Sequence, residues 1–343
     1  MVKSALVVGG TGQIGVAVAR NLLAHGWRVR IAHRGGHAIP DDLRLAGVTE
    51  ALIDRQEAGS LRQAVEGGVD AVIDCVAYEP EHARQLLALG GNVGSLAVVS
   101  SASVYRDAAG RTLDEAAESG FPEFDEPIPE TNPTVPPGPE TYSTNKVAVE
   151  RLLLDEARVP VTVLRPCAIH GPFSNHAREW WFIKRALDGR TQVPVAYDGL
   201  SRFHTTATAN LAEACRLSLE AGGTRVLNVG DPDPPTVREI GEAIEGALGH
   251  RWEIVGLAGE PRGSVGRTPW SIPRPFLIDT AAATALGYAP VTDYAGSVQE
   301  TCRALEEAGK SAGADWPRAF PALAVYSYSH FDYEEEDRVL AAV

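Results

Sequence analysis

Short apolar runs alternate with helical patterns through the first half of the chain. The runs are continuously apolar, which indicates strands that a parallel sheet buries on both faces. The predicted strands are Ala5–Val8, Val29–Ala32, Glu50–Ile53, Ala71–Cys75, Leu96–Ser100 and Val161–Leu164, and the predicted helices are Ile14–His25, Ser60–Glu66, Pro80–Leu89 and Thr141–Ala157. This alternation predicts an α/β fold built on a doubly wound parallel (Rossmann) sheet, which binds ligands at the carboxyl ends of its strands.

A different pattern begins after residue 172. The predicted helices there are Ala177–Leu187, Asn210–Leu219, Val237–Leu248, Asp279–Leu286 and Tyr294–Ala308, with a strand at Arg225–Val229. We expect residues 1–172 to form a dinucleotide-binding domain, to which part of 203–230 returns. Residues 173–343 are expected to form mainly a smaller C-terminal α/β substrate lobe, the other wall of a ligand cleft.

Two segments fit neither pattern. The connection from Arg106 to Glu140 carries many prolines and acids. A connection of this length is usually functional or mobile, and the sequence leaves open whether it covers a ligand or is a solvated excursion. The acidic segment Tyr333–Asp337 near the C-terminus is expected to be exposed, because carboxylates are rarely buried without a partner.

A glycine-rich loop follows the first predicted strand directly. Residues 9–15 read Gly-Gly-Thr-Gly-Gln-Ile-Gly and lead into an amphipathic helix. Such glycines allow a tight turn, a close approach of backbone to a pyrophosphate and close packing of helix on sheet. The helix N-terminus presents amides and a positive dipole end to phosphates. The loop therefore predicts dinucleotide binding through Gly9, Thr11, Gly12, Gln13, Ile14 and Gly15.

The ends of the next strands refine the cofactor prediction. His33 and Arg34 stand where enzymes selecting NAD usually carry an acid for the ribose hydroxyls. Arg34 can form a charge-assisted hydrogen bond with a 2′-phosphate, so the sequence favours NADP over NAD. Asp54 can accept a hydrogen bond from adenine, whereas Arg55 is either a second phosphate or adenine contact or a solvated side chain. Further cofactor contacts are expected from Cys75, Val76 and Ala77, which end or follow the fourth strand.

Tyr142 and Lys146 form a YxxxK pair near the start of a predicted helix. The i, i+4 spacing puts both side chains on one helical face. A free phenol with a pKa of about 10 is a poor base at neutral pH, and a nearby ammonium favours its phenolate. Upstream, the fifth strand ends at Ser101, whose hydroxyl can hydrogen-bond a substrate oxygen, with Ser103 as the second choice. The alternative for these serines is capping of the backbone.

Charge and cysteine usage limit the partners. The net charge of −14 at pH 7 repels a phosphate backbone, so no nucleic-acid partner is expected. The four cysteines form no CxxC pair, which favours free thiols in a reducing cytoplasm. The apolar run near the N-terminus is too short for a signal peptide or a membrane span. We expect a cytoplasmic protein with a small-molecule substrate, no membrane partner and no metal; homodimer formation stays open.

The order of these motifs resembles one family. The pieces GGTGQIG, Asp54 after strand three, SSASVY at 100–105, YSTNK at 142–146 and RPCAIHGP at 165–172 are similar to the extended branch of the short-chain dehydrogenase/reductase superfamily, the NAD-dependent epimerase/dehydratase group. The resemblance implies that Ser101, Tyr142 and Lys146 are catalytic. It also implies that the RPxxxxGP segment lies against the nicotinamide, through Pro166, Cys167 and Ile169.

The chain departs from the family pattern in its substrate region. His170 stands where the family usually has Tyr, and 203–207 resembles a family stretch but lacks its acids. His170 and His204 are therefore either substrate contacts or ordinary packed residues. The pair Asp54-Arg55, the Arg after strand two and a compact fourth helix are similar to an atypical subgroup that includes chloroplast stem-loop RNA-binding proteins.

Two hypotheses follow. The first is an NAD(P)-dependent oxidoreductase or epimerase acting on a secondary alcohol or ketone of a sugar-like or nucleotide-linked molecule. A sugar dehydratase ranks lower, because Ala102 and Ser103 stand where such enzymes carry an Asp-Glu pair. The second is a non-catalytic nucleotide- or RNA-binding protein on the same fold.

Overall fold

The computed structural model describes residues 2–57 and 59–342. Its strands and helices alternate in the first half of the chain. The strands are β1 Ser4–Val8, β2 Arg28–His33, β3 Thr49–Leu52, β4 Ala71–Asp74, β5 Leu96–Val99, β6 Val161–Pro166, β7 Ala168–His170, β8 Gln192–Ala196, β9 Thr205–Ala207, β10 Arg225–Val229 and β11 Glu253–Leu257. The helices are α1 Gln13–Ala24, α2 Asp41–Leu45, α3 Ser60–Ala64, α4 Pro80–Leu87, α5 Ala116–Ser119, α6 Tyr142–Glu156, α7 Trp180–Leu187, α8 Thr208–Ala221, α9 Val237–Leu248, α10 Ala281–Ala285, α11 Tyr294–Ala312, α12 Trp316–Ala319, α13 Pro321–Ala324 and α14 Tyr333–Leu340.

The chain divides into two compact units. Unit 1 comprises 1–167, 208–230 and 278–291, and unit 2 comprises 168–207, 231–277 and 292–343. The segment 208–230 thus lies in unit 1. So does 278–291, which the sequence pattern had placed in the substrate lobe.

Unit 1 contains a seven-stranded sheet of the Rossmann type. The strand order is β10-β6-β5-β4-β1-β2-β3, and the pairings are parallel. The order reverses between β1 and β4, which is the switch point where such sheets bind ligands. The predicted doubly wound sheet is confirmed.

Continuous apolar runs give unit 1 its core. Residues of β1, β4, β5 and β6 are buried along nearly their whole length, as strands covered on both faces must be. Helices α4 and α6 add Leu86, Val149 and Leu153 to the same cluster as Leu6 and Val98. Helix α6 is therefore anchored along the sheet, which fixes where its first residues lie.

Unit 2 is smaller in sheet and richer in aromatic residues. It contains two parallel two-stranded sheets, β11-β8 and β7-β9. Trp181 and Phe182 of α7 are buried with Ile240 of α9 and Val298 of α11. The amphipathic helices predicted in this half thus bury their apolar faces against one another.

The sequence pattern predicted that the acidic segment Tyr333–Asp337 is exposed, and the structure shows that part of it is buried. It forms most of α14, in which Glu336 is only 3% exposed. The Glu336 carboxylate pairs with the buried guanidinium of Arg185 in α7. This ion pair allows the carboxylate to be buried.

Among the described residues, no helix is long and apolar enough to cross a membrane.

Candidate active site

The backbone of the glycine loop lies so close to neighbouring atoms that Gly9 and Gly15 leave no room for side chains. Gly9 has φ +76°, and a Cβ there would lie 2.8 Å from Cγ1 of Val76. A Cβ at Gly15 would lie 2.4 Å from the carbonyl oxygen of Gly9. The N-cap of α1 is Gly12, so no side chain caps the first amides of this helix. Backbone donors and a clear approach are the features that a pyrophosphate needs, and the loop fits this group.

The side chains at the end of β2 differ sharply in exposure. His33 is buried, and its Nε2 lies 2.7 Å from Oε1 of Glu50 on β3. The Nδ1 atom of His33 accepts a hydrogen bond from the amide of Gly35 at 3.1 Å. Arg34 is exposed and, within the described residues, makes no hydrogen bond or ion pair. Its guanidinium is therefore available to an anionic ligand.

Asp54 and Arg55 have different surroundings. Asp54 is exposed and accepts a hydrogen bond from the amide of Gln56 at 2.9 Å. Arg55 turns inward, where its Nη2 lies 2.7 Å from Oδ2 of the fully buried Asp74 and its Nε donates to Gln85 at 2.9 Å. Arg55 thus neutralises a buried carboxylate, a contact that no local sequence pattern indicates, and its role toward a cofactor stays a prediction.

Helix α6 begins at Tyr142, directly after the N-cap residue Thr141. Thr141 caps the helix by accepting from the amide of Thr144 at 3.2 Å, while the Thr144 hydroxyl accepts from the amide of Thr141 at 2.8 Å. This reciprocal cap fixes the first turn. Tyr142 is 48% exposed, whereas Lys146, one turn later, is 2% exposed.

Lys146 reaches the carboxyl ends of two central strands. Its Nζ donates to the carbonyl oxygens of Val99, at the end of β5, and Ala77, beyond β4, both at 2.8 Å. It lies 5.6 Å from the centre of the Tyr142 ring. An ammonium has three donors, so the acceptors within residues 2–57 and 59–342 leave one N–H for a ligand. Burial lowers the pKa of Lys146 to about 8, against the opposing charge of Asp74 and Glu150.

Serine hydroxyls join the end of β5 to the start of α6. The hydroxyl of Ser101 accepts from the amide of Ser103 at 3.1 Å, which is the capping role weighed in the sequence analysis. The Ser143 hydroxyl donates to Ser103 Oγ at 2.8 Å. Ser101 and Ser103 therefore lie beside the helix turn that carries Tyr142.

The long connection 106–140 is tied to the same turn. The amide of Ser143 donates to Oδ2 of Asp114 at 2.8 Å, and the amide of Gly138 donates to the carbonyl of Thr144 at 3.1 Å. Another backbone bond joins Val135 to Val104 at 2.8 Å. These contacts favour the first of the two alternatives, a connection that borders the site, over a freely solvated excursion.

A buried polar network behind α6 escaped the sequence analysis. The Glu150 carboxylate accepts from Nε and Nη2 of Arg165 at 3.0 and 2.5 Å. Arg165 also donates to the hydroxyl of Tyr105, which donates to Asn228 at 2.7 Å. Glu150 follows Lys146 by four residues, so this helical spacing was the signal that could have found it. The network fixes α6 against β6 and β10.

The remaining cofactor candidates border the sheet. Cys75 and Ala77 are buried, Val76 and Cys167 are partly buried, and all lie in unit 1. Burial raises the pKa of the Cys75 thiol well above its ordinary value, so it is a neutral apolar group. Pro166 ends β6, while Ile169 belongs to β7 in unit 2.

The two histidine candidates of unit 2 are engaged within that unit. His170 is 1% exposed, and its Nε2 lies 2.7 Å from Oδ2 of Asp231. Burial opposes protonation, yet the Asp231 carboxylate raises the pKa of His170 above its ordinary value. The Nε2 of His204 lies 2.9 Å from the carbonyl oxygen of Asp231. Substrate contact by either ring stays a prediction, and among the described residues no cluster of His, Cys, Asp and Glu could hold a metal.

Known proteins resemble this chain in sequence. The profile described as "NAD dependent epimerase/dehydratase family" matches residues 5–230. The chain is 27% identical to "Uncharacterized protein y4nG" of Sinorhizobium fredii (strain NBRC 101917 / NGR234) over 252 residues, 71% of this chain and 60% of that protein. It is 25% identical to the chloroplast stem-loop binding protein of 41 kDa b of Arabidopsis thaliana over 225 residues, 62% of this chain and 54% of that protein. The matched regions thus span less than two thirds of either relative.

A solved structure resembles it in fold. UDP-glucose-4-epimerase from Stenotrophomonas maltophila, with bound NAD and formylated UDP-arabinopyranose, superimposes with a TM-score of 0.69 over 91% of this chain and 100% of that chain, at 19% identity. At this identity the likeness concerns the fold. The profile match, in contrast, covers more than half of the chain together with its glycine loop and YxxxK turn. The chain belongs to the NAD-dependent epimerase/dehydratase family.

Proposed function

We propose that this protein is an NAD(P)-dependent oxidoreductase or epimerase acting on a secondary alcohol or ketone of a sugar-like or nucleotide-linked small molecule. One observation carries the proposal: the buried Lys146 ammonium lies 5.6 Å from the Tyr142 ring at the carboxyl ends of β4 and β5. That edge also carries the glycine loop that fits a pyrophosphate.

Tyr142 moves the proton in this proposal. The positive charge of Lys146 stabilises the phenolate, so Tyr142 can take the proton of a substrate hydroxyl near neutral pH. In the reverse direction Tyr142 returns this proton to the substrate oxygen. Ser101 and Ser103 hold the substrate oxygen, and a bound nicotinamide dinucleotide supplies the hydride acceptor or donor.

We further propose a preference for NADP. Its support is Arg34 at the end of β2, which is exposed and whose guanidinium has no partner among the residues that the structure describes. The test is a thermal-shift titration with NAD, NADH, NADP and NADPH, since a tight ligand raises the melting temperature by mass action. Arg34→Ala should weaken NADPH binding about tenfold and leave NADH binding unchanged. Equal losses for both cofactors would contradict the preference.

A nucleotide-linked sugar is the proposed substrate class. The superimposed structure carries such a ligand, although the likeness concerns the fold. Elimination is disfavoured because Ala102 and Ser103 offer no acid–base pair beside Ser101. We also propose that the enzyme works in the cytoplasm, where its cysteines, all free in the structure, stay reduced.

The function is tested by incubating the protein with sugar nucleotides and each cofactor. Net reduction appears as absorbance loss at 340 nm, whereas epimerisation leaves the absorbance constant and yields a new sugar isomer by chromatography. Tyr142→Phe protein is the blank in each reaction. No conversion by wild-type protein of any sugar nucleotide or simple sugar, despite tight cofactor binding, would contradict the proposed substrate class.

The stem-loop binding relative favours RNA binding as a second candidate. The net charge of −14 opposes it, because RNA binding without positive charge loses its main electrostatic attraction. RNA retention on a filter at physiological salt, falling as salt rises, would support this candidate. Retention that is absent at low salt as well would exclude it.

A further inference from the structure

Tyr78 is a second aromatic side chain beside the ammonium, and the proposed mechanism does not use it. Its ring centre lies 4.6 Å from Nζ of Lys146, closer than the 5.6 Å of the Tyr142 ring. Tyr78 directly follows Ala77, whose carbonyl oxygen accepts a hydrogen bond from the same Nζ. Backbone and ring of one short segment therefore contact the ammonium together.

The two rings form the outer layer of this arrangement. Lys146 is 2% exposed, whereas Tyr78 and Tyr142 are 50% and 48% exposed. The carbonyl oxygens of Ala77 and Val99 bind the ammonium from the strand ends. An aromatic face attracts a cation while it keeps water from it. The Tyr78 ring thus occupies space through which water would otherwise reach Nζ.

The segment that carries Tyr78 is held in place. Its amide donates to Nδ1 of His82 at 3.1 Å, and α4 begins at Pro80. Burial, with the nearby charge of Arg55, lowers the pKa of His82 below its ordinary value. The imidazole is therefore neutral at pH 7, as an acceptor at Nδ1 must be.

We propose that the Tyr78 ring is a positioning element of the active site, which shields the Lys146 ammonium from water and holds it beside Tyr142. The role belongs to the ring and not to its hydroxyl. This inference rests on the proposed function, since it concerns how Lys146 is kept in its acting state.

Charges around the ammonium do not depend on Tyr78. The Asp74 carboxylate faces it from the end of β4 and the Glu150 carboxylate from α6, while Cys75, the residue after β4, is a neutral thiol. Burial nevertheless outweighs them and lowers the pKa of Lys146 to about 8. Removal of the ring admits water and leaves these groups in place. The pKa of Lys146 then rises, because hydration favours the charged form more than the lost cation–π contact disfavours it.

The small number of lysines allows the pKa of Lys146 to be measured directly by NMR. Its only lysines are Lys3, Lys146, Lys184 and Lys310. Protein labelled with ¹³C at the lysine ε-carbon gives few NMR signals to titrate, and the signal absent from Lys146→Arg protein belongs to Lys146. In the wild type we expect this signal to titrate with a midpoint near pH 8.

Tyr78→Ala should raise that midpoint by about one pH unit or more, since desolvation shifts of several units are known for buried lysines. Tyr78→Phe keeps the ring and should titrate as the wild type does. Leu45→Ala removes another exposed apolar side chain of unit 1 and controls for truncation itself. Thermal unfolding of each variant verifies that it is folded.

Two results would overturn the proposal: an unchanged midpoint in Tyr78→Ala, or a rise in Tyr78→Phe as large as in Tyr78→Ala. The titration needs neither substrate nor turnover, so its failure is distinct from failure of the proposed function. If Tyr142→Phe protein keeps full turnover while the titration behaves as expected, the function is wrong and the shielding by Tyr78 stands.

Discussion

Lys146 in unit 1 and His170 in unit 2 are both buried groups that can carry positive charge. The surroundings of Lys146 disfavour the charged form, whereas those of His170 favour it. Lys146 is bound by two carbonyl oxygens and, among the described residues, forms no ion pair with a carboxylate. His170 contacts the carboxylate of Asp231 at 2.7 Å. The pKa of Lys146 falls to about 8, whereas the pKa of His170 rises. A buried cation with a direct counterion depends on it, because removal of the counterion leaves an uncompensated buried charge. A buried cation without a counterion retains donors and charge for a ligand.

The largest expected effect concerns activity at Lys146. Lys146→Met should reduce turnover by about two to four orders of magnitude, because the Tyr142 phenolate loses its neighbouring charge. The free energy of unfolding should change by less than about 1 kcal/mol, since removal of a buried cation offsets two lost hydrogen bonds. Turnover is measured with the substrate from the sugar-nucleotide screen, and stability by urea denaturation. A loss of about 3 kcal/mol or more in the free energy of unfolding would contradict the account, because Lys146 would then be as important for stability as the His170–Asp231 pair is expected to be.

Next in size is the loss of the counterion in unit 2. Asp231→Ala should lower the free energy of unfolding by about 3–5 kcal/mol, because His170 keeps no partner for its charge. Asp231 also accepts hydrogen bonds from Ala207 and Thr205, at 2.6 and 2.7 Å, and these are lost as well. Urea denaturation measures the change. A loss below about 1 kcal/mol would show that the pair does not stabilise the unit.

A smaller effect is the pH dependence of that loss. Burial alone would raise the pKa of Asp231, but the charge of His170 together with the hydrogen bonds from His170, Ala207 and Thr205 lowers it to about 2. The stabilisation from Asp231 is therefore present above the unfolded value of about 3.9 and lost as pH falls toward 2. The pKa of His170 is raised, so its stabilisation is complete below the unfolded value of about 6.5 and lost as pH rises through the folded value. The stability difference between wild type and Asp231→Ala should therefore be largest between about pH 4 and 6.5. A difference that grows above pH 8 would have the wrong sign.

The smallest effect is expected for an exposed pair. Arg20 and Asp42 lie 2.7 Å apart with side chains 39% and 53% exposed. Asp42→Ala should cost less than about 1 kcal/mol, since water and salt screen such pairs. This variant is the matched control for Asp231→Ala under the same denaturation conditions. Equal losses in both variants would mean that burial of the pair in unit 2 is unimportant.

The sequence predicted the sheet and the turn that carries Tyr142 because their signals are local. Continuous apolar runs mark the central strands, and the glycine loop and the i, i+4 spacing need only neighbouring residues. Strands β7 and β9, of three residues each, are too short to show a period. Several contacts join residues far apart in sequence: Arg55 to Asp74, His170 to Asp231 and Arg185 to Glu336. No local pattern contains such partners, so the tail was expected to be exposed and Arg55 was left open.

The contact between Tyr78 and Lys146 could not be predicted from the sequence for the same reason. It lies 68 positions before Lys146, and only the fold brings its ring over the ammonium. Parallel strands end at one edge of the sheet, so the general meeting of these segments could be expected. Which side chain covers Lys146 depends on the turn between β4 and α4, whose conformation His82 helps to fix.

The most direct measurement is a single-turnover comparison of wild-type and Tyr142→Phe protein, each saturated with cofactor and mixed with the substrate from the screen. The account predicts that both bind the cofactor equally and that hydride transfer, followed at 340 nm or by isotope exchange into the sugar, slows about 10³-fold in the variant. Hydride transfer at the wild-type rate in Tyr142→Phe would contradict the assignment of Tyr142 as the group that moves the proton.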